Sequence, residues 1–214
     1  MKNQSIARRK SQTDGEAEKR RDQILVAASR LFARAGYDAT SMRDIADVSG
    51  ILAGSIYHHY ASKAELFVAA HEAGVAAQRR NVLAALEGVT DPWDRLAVAA
   101  AAHLTALLEG EPTIFSTPNV PVSLASERKK LIRTRDAYEK IFDRLIRALQ
   151  LPPGSDLHLY RLHFLGALNW VPQWYRRGGR LTPADIGRGL VGMLRTGAGT
   201  RFEAGETSRN LVSA

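Results

Sequence analysis

Apolar residues recur at intervals of three or four along most of this chain, and glycine, proline and short polar runs cut that rhythm into segments. This spacing predicts helices throughout and an all-α fold. Ile24, Ala28, Leu31, Phe32 and Ala35 share one face of a first helix over about 18–35. Gly36 ends it, and Tyr37 should pack back on the core. Ser41 and Asp44 form a start signal for a second helix, with Met42, Ile45, Ala46 and Val48 as its apolar positions. Gly50 marks a turn and Ile51 a wedge before a third helix over about 52–60. There Ile56 and Tyr60 should face inward, leaving Ala53, Ser55, Tyr57, His58 and His59 outside. Ser62 and Glu65 then open a fourth helix over about 63–86, long enough to join two lobes.

A fifth helix is expected from the Asp91 cap and Pro92, with Leu96, Ala100, Leu104, Leu107 and Leu108 buried and Gly110 at its end. Residues 111–122 carry three prolines and read as loop. The next helix, over about 123–151, mixes charges with Leu131, Tyr138, Ile141, Phe142, Leu145 and Leu149. Pro152, Pro153 and Gly154 break it. From Asp156 to Tyr175 the chain is apolar almost all round, which predicts core on one side and a subunit interface on the other. Pro172 should kink this helix by leaving the Leu168 carbonyl unbonded. Thr182 to Asp185 opens a last helix, ending near Arg195, in which Gly187, Gly189 and Gly192 cost ~1 kcal/mol each against alanine. Close helix approach would compensate, so Leu165, Leu168, Ile186, Leu190 and Leu194 are the expected dimer contacts. Residues 1–18 read as a disordered basic arm and 198–214 as a flexible tail. The Arg8, Arg9, Lys10 cluster is either solvated or touches phosphates or a minor groove.

The second and third helices outline a helix-turn-helix, whose reading helix enters a DNA major groove. The charge agrees: 30 Lys and Arg against 22 Asp and Glu give a net charge of +8, which favours a polyanionic partner. The chain has no cysteine, which excludes disulfides, thiolate metal sites and a cysteine nucleophile. It begins polar and basic, without a signal peptide, and has no apolar run near the ~20 residues of a membrane span, so the cytoplasm is expected. Adjacent His58 and His59 point ~100° apart on a helix, so no metal is expected there. His103 and His163 read as hydrogen-bonded structural histidines. No phosphate loop, nucleophile elbow or paired-carboxylate motif is present, so an enzyme is not expected.

Tyr37 to Ala46, Gly50, Gly54 to Tyr60, and Ser62, Lys63, Glu65 and Leu66 resemble the TetR family of bacterial regulators in residue type and spacing. The resemblance implies a helix-turn-helix lobe at 19–66 and a ligand-binding and dimerisation lobe at 67–197. It implies that Thr40, Ser41 and Arg43 lie near phosphates, that Ala53, Ser55, Tyr57 and His58 line the DNA, and that Lys63 meets a phosphate. It also implies a homodimer on a near-palindromic operator, with no cofactor and an effector that releases DNA. Leu52 and Ala53 depart from the Ser or Thr and Lys or Pro common in the family, so direct readout should rest on Ser55, Tyr57 and His58.

The ILAGS-x-YHH form and the segment 169–179 are similar to a branch that regulates fatty-acid and steroid breakdown in response to acyl-CoA thioesters. On that reading Leu104, Phe142, Phe164, Trp170 and Trp174 wall an apolar cavity. Arg128 and Arg133, with Lys129 and Lys130, or Arg176 and Arg177, would meet the phosphates. The competing reading is a regulator of an efflux operon that senses a hydrophobic drug-like molecule and needs no such cations.

Overall fold

A computed structural model describes residues 2–110 and 121–197, with side chains from Gly15 onward. The described chain is helical: α1 (Lys2–Ala35), α2 (Met42–Ser49), α3 (Ala53–Tyr57), α4 (Lys63–Ala85), α5 (Pro92–Leu108), α6 (Arg128–Arg147), α7 (Leu157–Trp170) and α8 (Pro183–Gly197). Short 3-10 turns sit at Val122–Leu124 and Val171–Gln173.

The helix ends are written in side chains. Ser41 and Asp44 close a reciprocal capping box on α2, and Gly50 ends that helix at φ 67. Ser62 accepts from the Glu65 amide while Glu65 reaches back to the Ala61 amide. Asp91 and Asp156 each accept two amides at the starts of α5 and α7. Thr182 and Asp185 cap α8 reciprocally. Each such cap stabilises its helix by about 1 kcal/mol. Pro172 ends α7 by tightening the chain into a 3-10 turn, and the Val171 amide takes the Leu168 carbonyl that the proline abandons.

Two cores form. In the head, Ile24, Ala28 and Phe32 of α1 meet Ile45 and Ala46 of α2, Ile56 of α3, and Leu66, Phe67 and Ala70 of α4. Phe32, Tyr37 and Phe67 form an aromatic triangle with centroids 5.1 to 5.9 Å apart. In the second lobe, α5 packs most extensively against α8. Gly187 permits that approach, since a Cβ there would lie 2.7 Å from the Ala101 amide nitrogen. Gly189 and Gly192 have open space instead.

The head and the second lobe share a seam. Leu124 and Leu131 belong to the head core although they follow α5 in the chain. The Ser123 hydroxyl donates to Asp38 at 2.6 Å, and Lys130 of α6 pairs with Glu72 of α4 at 3.1 Å. The 66/67 boundary expected from the sequence therefore falls inside a packed cluster.

Four expectations need correction. Residues 2–18, read as a disordered arm, continue α1. Low hydropathy argues against a core segment, not against a helix; Lys, Gln, Ala, Arg and Glu are good helix formers and no proline intervenes. The third helix is shorter than 52–60, and Val48 is exposed rather than packed. The helix expected over 123–151 is α6 with a separate 3-10 turn before it. The expected loop lies largely in 111–120 and the expected tail in 198–214, both outside the described residues.

Candidate nucleic-acid interface and effector groove

The reading helix α3 is seated by its buried side. Ile56 is fully buried and Tyr60 nearly so, with Arg21 of α1 standing 5.3 Å over the Tyr60 ring. That seating turns Tyr57, 53% exposed, and His58 to solvent, with Ala53 and Ser55 partly exposed beside them. Leu52 stands at the N-cap, 80% exposed, and makes no side-chain cap. Arg43 is exposed on the first turn of α2. A polar, aromatic and apolar surface of this kind fits a groove edge, with Arg43 able to reach phosphate.

Three of the expected DNA residues have structural duties. Thr40 is only 2% exposed, and its hydroxyl donates to the Gly36 carbonyl. Ser41 is exposed, but its hydroxyl serves the α2 capping box. Lys63 donates from Nζ to the carbonyls of Tyr37 and Thr40, both at 3.0 Å. An ammonium has three donors, so one remains for phosphate.

In the second lobe Leu104, Phe142 and Phe164 are packed into the core, and Phe164 also backs the apolar cavity between α7 and α8. Among them sits a polar cluster. His103 of α5 and Tyr138 of α6 share a hydrogen bond at 2.8 Å, and Gln78 of α4 donates to the His103 carbonyl at 2.7 Å. Burial holds the His103 imidazole down to about 4, with the Asn169 side chain pulling weakly the other way. Burial also raises Tyr138, against a hydrogen bond from Gln78. The cluster is thus neutral near pH 7 and ties four helices together. His103 is hydrogen-bonded as the sequence predicts, with partners not legible there, whereas His163, read in the same way, is exposed on α7.

Tyr138 also closes one end of an open groove of about 680 Å³ between α4 and α6. Glu72, Val75, Ala76 and Arg79 line it from α4, and Lys130, Arg133, Thr134 and Ala137 from α6. Of the cations nominated from sequence, Arg133 and Lys130 reach this groove and Arg128 does not line it. Arg79 was missed, because its face of α4 is defined only once α6 is in place. Arg177 donates to the Leu108 carbonyl, and Arg176 is exposed.

The dimer residues expected from sequence are largely internal: Leu165, Leu168 and Ile186 are buried in the protomer's own core. Leu190 and Leu194 are partly buried beside an apolar cavity of about 460 Å³ between α7 and α8. Leu159, Leu162, Gly166 and Trp170 of α7, with Gly189, Gly192 and Met193 of α8, are exposed on the outer side of these helices. Trp170 and Met193 are 66% and 64% exposed, and Trp174 is exposed as well. Because α7 is apolar on both faces, amphipathic counting does not tell its core side from its outward side.

Two family profiles match this chain. "Bacterial regulatory proteins, tetR family" covers residues 24–70, and "Tetracyclin repressor-like, C-terminal domain" covers residues 89–198. The chain belongs to the TetR family. Like its relatives, this TetR-family protein is a transcriptional regulator and not an enzyme. It is 30% identical over 194 residues to the transcriptional repressor KstR2 of Mycobacterium tuberculosis, covering 86% of this chain and 94% of that one. It is 30% identical over 152 residues to the transcriptional activator FasR of Mycolicibacterium smegmatis, covering 70% of this chain and 67% of FasR. The solved structure of the M. tuberculosis ketosteroid regulator KstR2 superposes with a TM-score of 0.67 at 26% identity, covering 83% of this chain and 94% of that one. AibR, solved in complex with isovaleryl coenzyme A and operator DNA, has the same fold, with a TM-score of 0.68 at 24% identity over 81% of this chain and 97% of AibR. No helix among the described residues of this TetR-family chain is long and apolar enough to cross a membrane.

Proposed function

We propose that this regulator is a homodimeric cytoplasmic repressor that leaves its operator when an acyl-CoA thioester binds the second lobe. The observation that carries the reading is the seam: Leu131 of α6 is built into the head core, while the same helix walls a groove against α4. Whatever binds beside α6 and α4 acts on elements that position α3. Arg43, Ser55, Tyr57 and His58 meet DNA, and Lys63 spends its remaining donor on a phosphate. The outward stripe of α7 and α8 pairs with its copy, so that two reading helices sit about 34 Å apart. Gly189 and Gly192 leave room for a partner's backbone on that stripe.

The acyl-CoA reading draws on the relatives. KstR2 is a ketosteroid regulator by its description, and a chain of this fold has been solved with a CoA thioester bound. The effector acts by binding the two arrangements of the heads with different affinity. Fluorescence anisotropy on a selected operator tests it: long-chain or polycyclic acyl-CoA should release the DNA. No release across a CoA-ester panel would remove the effector and leave the DNA-binding role standing.

A second reading has its own observation. The cavity between α7 and α8 is lined by Leu159, Tyr160, His163, Phe164, Leu190, Met193 and Leu194, with no cation, and suits an uncharged hydrophobic molecule of the kind an efflux regulator senses. Release by uncharged drug-like compounds, undiminished by loss of the groove cations, would favour it.

A further inference from the structure

We propose that the groove between α4 and α6 is a binding site for an amphipathic anion, with Arg79 and Arg133 holding the phosphate or carboxylate and the groove floor holding the apolar part. This rests on the effector reading above and gives it a location.

The two walls are matched helix faces. On α4, Glu72, Val75, Ala76 and Arg79 fall at helical spacing, and on α6 Lys130, Arg133, Thr134, Ala137 and Tyr138 do the same. Glu72 meets Lys130 across the groove at the end nearer the head, and Gln78, beside Arg79, meets Tyr138 at the other. The two helices thus run alongside each other past the groove, with an ion pair at one end and a neutral polar cluster at the other.

The charge within is unbalanced. Three cations face one carboxylate, and Glu72 is already paired with Lys130. Neither Arg79 nor Arg133 forms an ion pair among the described residues, and no acidic side chain lines their part of the groove. Two guanidiniums from two helices present forked donors, which suit phosphate and carboxylate oxygens. Between them Val75, Ala76 and Ala137 offer an apolar floor. A space of about 680 Å³ is far larger than an inorganic anion and falls within the range of ligand pockets. Site and ligand are therefore matched as an anionic head with an apolar stem.

The site also supplies the regulation. A bound anion bridges Arg79 and Arg133 and competes with Glu72 for Lys130. It thus draws α4 and α6 together in the groove while releasing the ion pair nearest the head. Leu131 follows Lys130 directly, so the change is delivered into the head core.

The test uses the full-length homodimer and three probes by calorimetry: palmitoyl-CoA, palmitate and inorganic pyrophosphate. The variants are Arg79→Ala with Arg133→Ala, and Arg128→Ala as a control on the same helix outside the groove. The double variant should bind the active probe roughly tenfold or more weakly while keeping wild-type operator affinity without ligand, and Arg128→Ala should match wild type. Palmitoyl-CoA bound equally by wild type and double variant overturns the site and leaves the acyl-CoA effector standing. Palmitate or pyrophosphate bound by wild type and lost in the double variant, with palmitoyl-CoA inert, supports the site and removes the CoA thioester. Binding of none of the three by wild type overturns both, and the arginines are then an ordinary solvated face.

Discussion

Lys63 Nζ lies 4.2 Å over the ring of Tyr37 and donates to the carbonyl of that same residue at 3.0 Å. A further bond to the Thr40 carbonyl makes this lysine a clasp for the turn between α1 and α2. Its position invites reading as a phosphate contact alone, yet its first effect is to hold the head together. Lys63→Ala should therefore lower head stability by about 1–3 kcal/mol as well as weaken DNA binding. Tyr57→Ala, on the exposed side of α3, should weaken operator binding with an unchanged melting curve. Thermal melts paired with anisotropy titrations separate the two. A Lys63→Ala protein that melts like wild type would return the lysine to a purely DNA-facing role.

Leu52 is 80% exposed at the start of the reading helix and caps nothing. An apolar side chain so placed has thymine methyl groups as its natural contact in the major groove. In an operator selected from a random-sequence library, replacing the contacted thymine with deoxyuridine should cost about threefold to fivefold in affinity, the worth of one buried methyl. Leu52→Ser should be indifferent to that replacement. Equal sensitivity in both proteins would show that another residue meets the methyl.

The three glycines of α8 should separate by position. Gly187→Ala forces a Cβ against the α5 backbone at 2.7 to 2.8 Å and should destabilise the protomer by about 1–3 kcal/mol. Gly189→Ala and Gly192→Ala should leave the fold unharmed, since nothing lies within 4 Å of a Cβ there. Met193→Arg with Leu162→Arg, on the outward stripe, should yield folded monomers by light scattering. A persistent dimer would move the interface off this face.

The buried imidazole of His103 predicts a pH response with a definite sign. Its folded value, about 4, lies below the 6.5 of a free histidine, so the unfolded chain takes up the proton first as pH falls. Stability should be full above about pH 6.5 and decline through the interval down to about pH 4, by at most about 3 kcal/mol from this group. Burial lowers His71 as well, adding in the same direction. Urea midpoints at pH 7.5 and 5.5 should differ for wild type and differ less for His103→Phe. An identical pH dependence in the variant would assign the decline to other groups.

Caps, turn glycines and inward residues were legible in the sequence because they depend on near neighbours. Ser41 with Asp44, Gly50, Ile56 and Tyr60 each declare themselves within a few positions. The long helices followed from periodicity, and the family from the block around α2 and α3. The features that sequence leaves hidden depend on pairing between distant segments. Thr40 has the composition of a phosphate contact, but its exposure is decided by how Gly36 turns the chain. Leu165 and Leu168 could not be told from Leu159 and Leu162 on a helix apolar all round until α5 and α8 chose a side. Arg79 became part of a site only through α6, about fifty residues away.

Leu124 and Leu131 have a bearing on how such proteins can be recombined. A cut after Leu66, where sequence alone would divide the chain, strips the head of Phe67, Val68 and Ala70 and of the two leucines that complete its core. A head grafted onto a foreign lobe would inherit a hole in its centre unless the matching seam travels with it. Chimaeras that carry residues 121–131 along with 1–70 should fold where simple head swaps fail, so the heritable unit of DNA recognition here is discontinuous in sequence.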